Sequence, residues 1–235
     1  MQTGHATRIL IVYYSRYGTV KALATLIAAG AQREPGVETR LFPVADEPIE
    51  SSPPNADSHG VLLQRAQIIG ELVAADAIIV GSPAYFGSMA SPVKRLFEDC
   101  ATASTPPTND RTRPWRHHLF RDKVGAAFTS SGTPHGGNEQ CLHSILTMLI
   151  HLGMVIVTPG QQEPILENLT APYGATTVAG PHGDSKPTAD EAEAARALGQ
   201  RVARLTTWLI DGRDAWEERH GMGVIDSREH PFPPV

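Results

Sequence analysis

Three stretches of this chain place hydroxyls, glycines and aromatics directly after apolar runs, where they could hold a small anion and a flat ring. The first, Tyr14-Ser15-Arg16-Tyr17-Gly18-Thr19, follows Ile9-Leu10-Ile11-Val12. Ser15 and Thr19 offer hydroxyl donors, and Gly18 permits close backbone approach or a positive φ. A helix predicted to begin near Val20 would turn its unpaired N–H groups and partial positive charge toward that loop, which stabilises an anion. The string G-x-x-x-x-G-K-[ST] is absent, so a nucleoside triphosphate with magnesium is disfavoured. The Gly221-Met222-Gly223 string has no strand before it and no third glycine, so a dinucleotide fingerprint fails as well. A monophosphate held by hydroxyls and amides remains, and an ordinary helix cap accounts for the same residues equally well.

The second stretch runs Gly81-Ser82-Pro83-Ala84-Tyr85-Phe86-Gly87-Ser88-Met89. Glycines bracketing aromatics at a strand end suit a stacked ring, the alternative being a turn whose Tyr85 and Phe86 fold back into the core. The third, Thr129 to Glu139, contains Ser130-Ser131-Gly132-Thr133-Pro134-His135 and precedes a helix, so its amides can converge on electron-rich ring atoms. His135 has no second ligand at a helical or hairpin spacing, and H-E-x-x-H is missing, so no metal site is predicted. The absence of G-x-S-x-G leaves no nucleophile elbow for a serine hydrolase.

These loops need a scaffold that brings strand ends together. Short apolar runs at Ile9–Tyr14, Val37–Phe42, Ala77–Gly81, Val124–Thr129 and Met154–Val157 alternate with amphipathic stretches at Val20–Gln32, Val61–Ala74, Ser91–Cys100, Glu139–Leu152 and Thr188–Ile210. That alternation predicts an α/β domain, a parallel five-stranded sheet with helices on both faces, whose ligands sit beyond the carboxyl ends of the strands. Thr188 and Glu191 form a capping-box signature before the last helix. Pro43–Gly60, Thr102–Pro114 and the tail from Asp211 read as loops, which divides the chain into a domain of residues 1–210 and an extension of residues 211–235.

With 235 residues, of which 41% are hydrophobic and 19% charged, the chain can bury one large core. Its net charge of -5 and lack of a basic stripe argue against nucleic acid. The N-terminus lacks the features of a signal peptide and no apolar run reaches the ~18 residues of a membrane helix, so a cytoplasmic protein is predicted. Cys100 and Cys141 read as small buried hydrophobes.

Taken together, "YYSRYGTV", "GSPAYFGSM", "SSGTPHGGNE", "HLGMVIV" and "PYGATTVAG" resemble, in order, the flavodoxin-like WrbA family of FMN-dependent NAD(P)H:quinone oxidoreductases, once described as tryptophan-repressor-binding proteins. The resemblance runs from about Arg8 to Leu209. It implies strand order 2-1-3-4-5, with FMN as cofactor and NADH or NADPH as reductant. It further implies that Ser15, Arg16, Tyr17, Gly18, Thr19 and Val20 hold the phosphate, and that Tyr17 also meets the nicotinamide nucleotide. Pro83, Ala84, Tyr85 and Phe86 would flank the isoalloxazine, and Ser130, Ser131, Gly132, Thr133, Pro134 and His135 would bond its polar edge. His151 would contact the cofactor and Trp115 the quinone pocket, with a homo-tetramer, or at least a dimer, completing the site. Tyr85 stands where the family commonly has arginine, and the chain runs beyond the family's usual end.

The resemblance implies two-electron reduction of a quinone through the flavin, with no side chain an obligatory acid or base. A flavodoxin-type electron carrier is the rival. Such carriers present a compact, strongly acidic docking face, whereas this chain is only mildly acidic and adds a second glycine-rich loop suited to substrate access.

Overall fold

A computed structural model of the protein describes residues 6–44, 68–102, 119–161 and 170–221. Trp115, most of the Pro43–Gly60 and Thr102–Pro114 segments, the first half of the Val61–Ala74 stretch and the tail beyond 221 lie outside the described residues.

Among the described residues, seven strands form one sheet: β1 (Thr7–Tyr13), β2 (Val37–Pro43), β3 (Ala77–Tyr85), β4 (Ser88–Met89), β5 (Val124–Ser131), β6 (Val155–Ile156) and β7 (Ala175–Val178). The order β2-β1-β3-β5-β6 is parallel throughout and keeps the expected winding. Two strands were not expected. β4 closes an antiparallel hairpin on the end of β3, and β7 pairs with Phe128–Ser131 of β5 while β6 pairs with Val124–Gly125. The fifth place in the sheet is therefore split between two short strands, one serving each end of β5.

Alternation along the strands sorts the core into two layers, as side chains of period two must. Ile9, Ile11, Ala77, Ile79, Ala126 and Phe128 face one side, against α1 (Thr19–Ala31) and α4 (Ala189–Arg219). Leu10, Val12, Ile78, Val80 and Ala127 face the other, against the helical residues 68–74, α2 (Ser91–Thr102) and α3 (Asn138–His151).

Helices α1 and α4 touch backbone to backbone. A Cβ on Gly30 would stand 1.9 Å from the Arg196 carbonyl oxygen, and one on Gly199 would stand 2.0 Å from that of Ile27. No other residue type fits at either place. Ion pairs Arg33–Glu193 (3.1 Å) and Arg204–Glu34 (2.7 Å) flank this seam.

The capping box forms as predicted, with the Glu191 amide donating to Thr188 Oγ1 (3.2 Å) and the Thr188 amide donating to Glu191 Oε2 (2.7 Å). Glu191 has a second task, because its carboxylate also accepts from Thr177 Oγ1 and the Val178 amide, tying α4 to β7. The helix ends at Arg219 rather than Ile210. Residues 211–219 carry mostly good helix formers, and Gly212 costs only about 1 kcal/mol against alanine, too little to stop an established helix.

Candidate functional site

The loop after β1 enters α1 through Gly18, whose φ of +98° is a conformation that favours glycine. No side chain caps the helix in the usual way, and its first turn holds no acidic residue. Ser15 Oγ instead reaches under the turn and accepts from the amides of Gly18 and Lys21, each at 3.2 Å. The Thr19 and Val20 amides stand at the first two helical positions, where no intrahelical carbonyl can serve them. With both Ser15 contacts made to its oxygen, its own hydrogen is left to donate outward.

Thr19 plays a different part from the one its sequence position suggests. Its hydroxyl donates to the Gly183 carbonyl at 2.8 Å, fastening the turn Gly180-Pro181-His182-Gly183 beside the loop. That turn is closed by a Gly183 N–H to Gly180 carbonyl bond of 3.1 Å, with φ of +75° at both glycines. Tyr17, 64% exposed, packs on it so closely that a Cβ on Gly183 would come within 2.8 Å of the ring. The Arg16 guanidinium sits 5.9 Å from the Tyr17 ring centroid, a cation over an aromatic face.

β3 continues past Gly81 to Tyr85, which moves Pro83, Ala84 and Tyr85 from the expected loop onto a strand edge. The reading of Gly81 as a ring-binding glycine is corrected here: a Cβ on Gly81 would lie 2.0 Å from the Phe128 ring, so this glycine makes room for a core aromatic. Phe86 and Gly87 form the two-residue turn to β4, with φ of +52° and +72°. Phe86 is fully exposed there. Beneath this edge lies a closed polar lattice: Ser82 Oγ accepts from the Ala90 amide (2.7 Å) and Thr129 Oγ1 donates to the Ser82 carbonyl (2.6 Å). Cys141 Sγ lies 3.9 Å from the Pro83 carbonyl, and burial pushes its thiol up to about 11.

A cavity of about 200 Å³ gathers these parts, lined by Ser15–Tyr17, Thr19, Val20, Pro83–Tyr85, Ser130–Gly132 and Ala179–Gly183. No acidic side chain lines it, and Arg16 and His182 stand at its wall. Of the residues named from the sequence, Gly18, Phe86 and Thr133–His135 do not line it. The latter form a turn, with Gly136 N–H donating to the Thr133 carbonyl at 2.9 Å. His151 is the last residue of α3, whose first turn adjoins the site. Fourteen residues at ~1.5 Å each put it about 20 Å away. Sequence reasoning missed Ala179–Gly183 as a wall; Gly180-Pro181 after the β7 run is a turn signature that could have flagged it.

A family model described as NADPH-dependent FMN reductase matches residues 7–162. The chain belongs to this family. It is 35% identical over 216 residues to a protein of Paracoccus denitrificans named NAD(P)H dehydrogenase (quinone), covering 88% of this chain and 97% of that one. A protein of the same name from Rhodopseudomonas palustris is 38% identical over 213 residues, covering 86% of this chain and 98% of its own. A flavodoxin-like fold is shared with a WrbA-like protein from Agrobacterium tumefaciens, at a TM-score of 0.60 and 23% identity over 86% of this chain and 98% of that one.

The residues present fit the family's FMN. A Cβ on Gly18 would meet no protein atom within 4 Å, so the space beside the open helix terminus is free for a phosphate. The acid-free wall suits a dianion. The cavity is smaller than the ~300–1,000 Å³ of enclosed sites, so it reads as the inner end of an open groove whose rim, at Tyr85 and Tyr17, would carry the flat ring.

Proposed function

We propose that the chain is an FMN-dependent NAD(P)H:quinone oxidoreductase that reduces quinones to hydroquinones by two electrons. The observation that carries this reading is the meeting of the open α1 terminus, the Pro83–Tyr85 edge and the Ser130–Gly132 backbone on one cavity without acidic side chains. The full-length likeness to proteins named NAD(P)H dehydrogenase (quinone) supplies the reaction class.

When bound, FMN supplies hydride acceptance from the nicotinamide and two-electron delivery to the quinone. The chain supplies position and field. Ser15 and the Thr19 and Val20 amides hold the phosphate while Arg16 offsets its charge. Ala84 and Tyr85 bound the ring plane, with Phe86 beside them. With the Ser130 and Ser131 amides taken by the sheet, the Gly132 amide beyond β5 would donate to the electron-rich ring edge and stabilise negative charge there, Ser130 and Ser131 lining that edge and the Thr133–His135 turn closing that side. Tyr17 faces the nicotinamide nucleotide, and Tyr85, which lines the cavity, and His135 are the groups able to supply protons to quinone oxygens. His151 and Trp115 serve a neighbouring copy's cavity in a homo-tetramer, which is consistent with the distance of His151 from its own. Among the described residues no helix is long and apolar enough to cross a membrane, and we place the protein in the cytoplasm.

The test is steady-state oxidation of NADH and NADPH by FMN-loaded protein, with benzoquinone and nucleotide both varied. Parallel double-reciprocal lines are expected, because one site is used alternately. Tight FMN binding without reduction by either nucleotide would replace the enzyme by an electron carrier.

A further inference from the structure

Three hydroxyl side chains that do not line the cavity hold the base of the hairpin that carries Tyr85 and Phe86. Ser82 and Thr129 are completely buried, and Ser144 on α3 is partly so. Ser82 Oγ donates to the Pro83 carbonyl (2.9 Å) and accepts from the Ala90 amide (2.7 Å), while Thr129 Oγ1 donates to the Ser82 carbonyl (2.6 Å). Ser144 Oγ accepts from the Met89 amide (3.1 Å) and is anchored by donating to the Cys141 carbonyl (2.7 Å). The hydroxyls thus seize two carbonyls on one arm of the hairpin, at Ser82 and Pro83, and two amides on the other, at Met89 and Ala90.

The tip they support is strained. Phe86 takes φ +52° at the first turn position, a conformation that asparagine or glycine adopts more cheaply. Its ring is fully exposed, so the fold gains no packing from it in return. Gly137 backs the turn so closely that a Cβ there would stand 2.9 Å from the Gly87 Cα. A strained aromatic without packing, clamped at its base and from behind, points to a ligand rather than to the core.

We infer, on the ring placement proposed above, that Ser82, Thr129 and Ser144 are positioning residues that set the Pro83–Tyr85 edge in its ring-binding place before the flavin arrives. Binding then need not order that edge, and the ordering cost is kept out of the flavin's affinity. The three side chains act through the backbone, because Pro83, Ala84 and Tyr85 line the cavity and they do not. Removing a hydroxyl leaves the backbone group it served without that partner in a buried site, and the arm carrying it loses its fixed place.

The experiment is titration of the apoprotein with FMN and with riboflavin, which has the ring without the phosphate, followed by flavin fluorescence beside urea unfolding of each flavin-free variant. Thr129→Val keeps the shape and removes the hydroxyl; it should raise both dissociation constants about three- to tenfold, and Thr129→Ser should restore them. Ser144→Ala should act as Thr129→Val does. Thr7→Val is the control, since the buried Thr7 hydroxyl bonds Thr207 at 3.0 Å at the start of β1, the far end of the sheet from the cavity. It should lower the urea midpoint and leave both constants unchanged.

A Thr129→Val protein with a lower urea midpoint and unchanged constants overturns the inference, because the hydroxyls would then serve the fold alone. Weaker FMN binding with riboflavin binding kept overturns it too, since the phosphate cradle and not the ring edge would have moved. Tyr85→Ala separates the two levels. If it weakens both flavins while Thr129→Val weakens neither, the ring placement stands and the positioning role falls; if it leaves both constants unchanged, the ring placement falls and the positioning role with it.

Discussion

Substituting Gly18 tests the phosphate cradle where the loop enters α1. At φ +98°, any L side chain is strained, at about 1–2 kcal/mol for alanine, partly offset by about 0.4–1 kcal/mol from a stiffer unfolded chain. Gly36 provides the control, since it too has positive φ (+73°) and no atom within 4 Å of an added Cβ, yet it lies in the turn before β2, away from the cavity. Gly18→Ala and Gly36→Ala should therefore lower stability by similar amounts, about 0.5–1.5 kcal/mol by urea unfolding of the apoprotein. They should part company in FMN titration followed by flavin fluorescence. Gly36→Ala leaves Kd unchanged, whereas Gly18→Ala raises it about tenfold, equivalent to about 1.4 kcal/mol, and the bulkier Gly18→Val raises it further. Equal FMN affinity for the Gly18 and Gly36 variants would sink the cradle assignment, because strain alone would then be the whole effect.

Other outcomes follow from neighbouring contacts. Thr19→Val removes the hydroxyl bond to the Gly183 carbonyl, worth about 0.5–1.5 kcal/mol, and should weaken FMN binding by releasing the 180–183 turn; Thr19→Ser should restore it in the same titration. Burial pushes the Cys100 thiol up to about 12 and that of Cys141 to about 11, so a disulfide reagent at mildly alkaline pH should label neither in the folded protein and both in urea. Fast labelling of the native state would contradict their buried placement. The side-chain hydrogen bonds from Arg204 and then Gln200 hold the Glu34 carboxyl below its ordinary 4.5. A depressed folded-state value means this stabilisation is fully present above that pH and lost as acid takes the pH through the folded value. Urea midpoints of Glu34→Gln should accordingly vary less with acid pH than those of the wild type.

The winding of the sheet was legible because its strands read as apolar runs spaced by helical patterns, and the alternation of Ile9 and Leu10 or Ile78 and Ile79 between two cores is the two-residue period itself. The capping box at Thr188 and Glu191 was local and equally readable. β7 was missed because Ala175-Thr176-Thr177-Val178 is short and half hydroxylic; Thr177 can be buried only because Glu191, fourteen residues on, accepts its hydrogen. Gly81 shows the opposite failure. Its place at a strand end looked like a ligand glycine, and only the distant Phe128 explains it. The 180–183 turn reached the cavity through a bond to Thr19, a partner 164 residues away that no local pattern announces.

The glycine seam between α1 and α4 also bears on the order of synthesis. α1 carries the cradle, but its bracing turn at Gly180–Gly183, joined to Thr19 by a bond spanning 164 residues, and its packing partner Gly199 are made much later. A ribosome-bound chain that has not yet released them has the Ser15–Val20 loop without the helix that seats it or the wall that faces it. Capture of the flavin is thereby deferred until α4 has been made, and a bound cofactor certifies that synthesis has passed that helix.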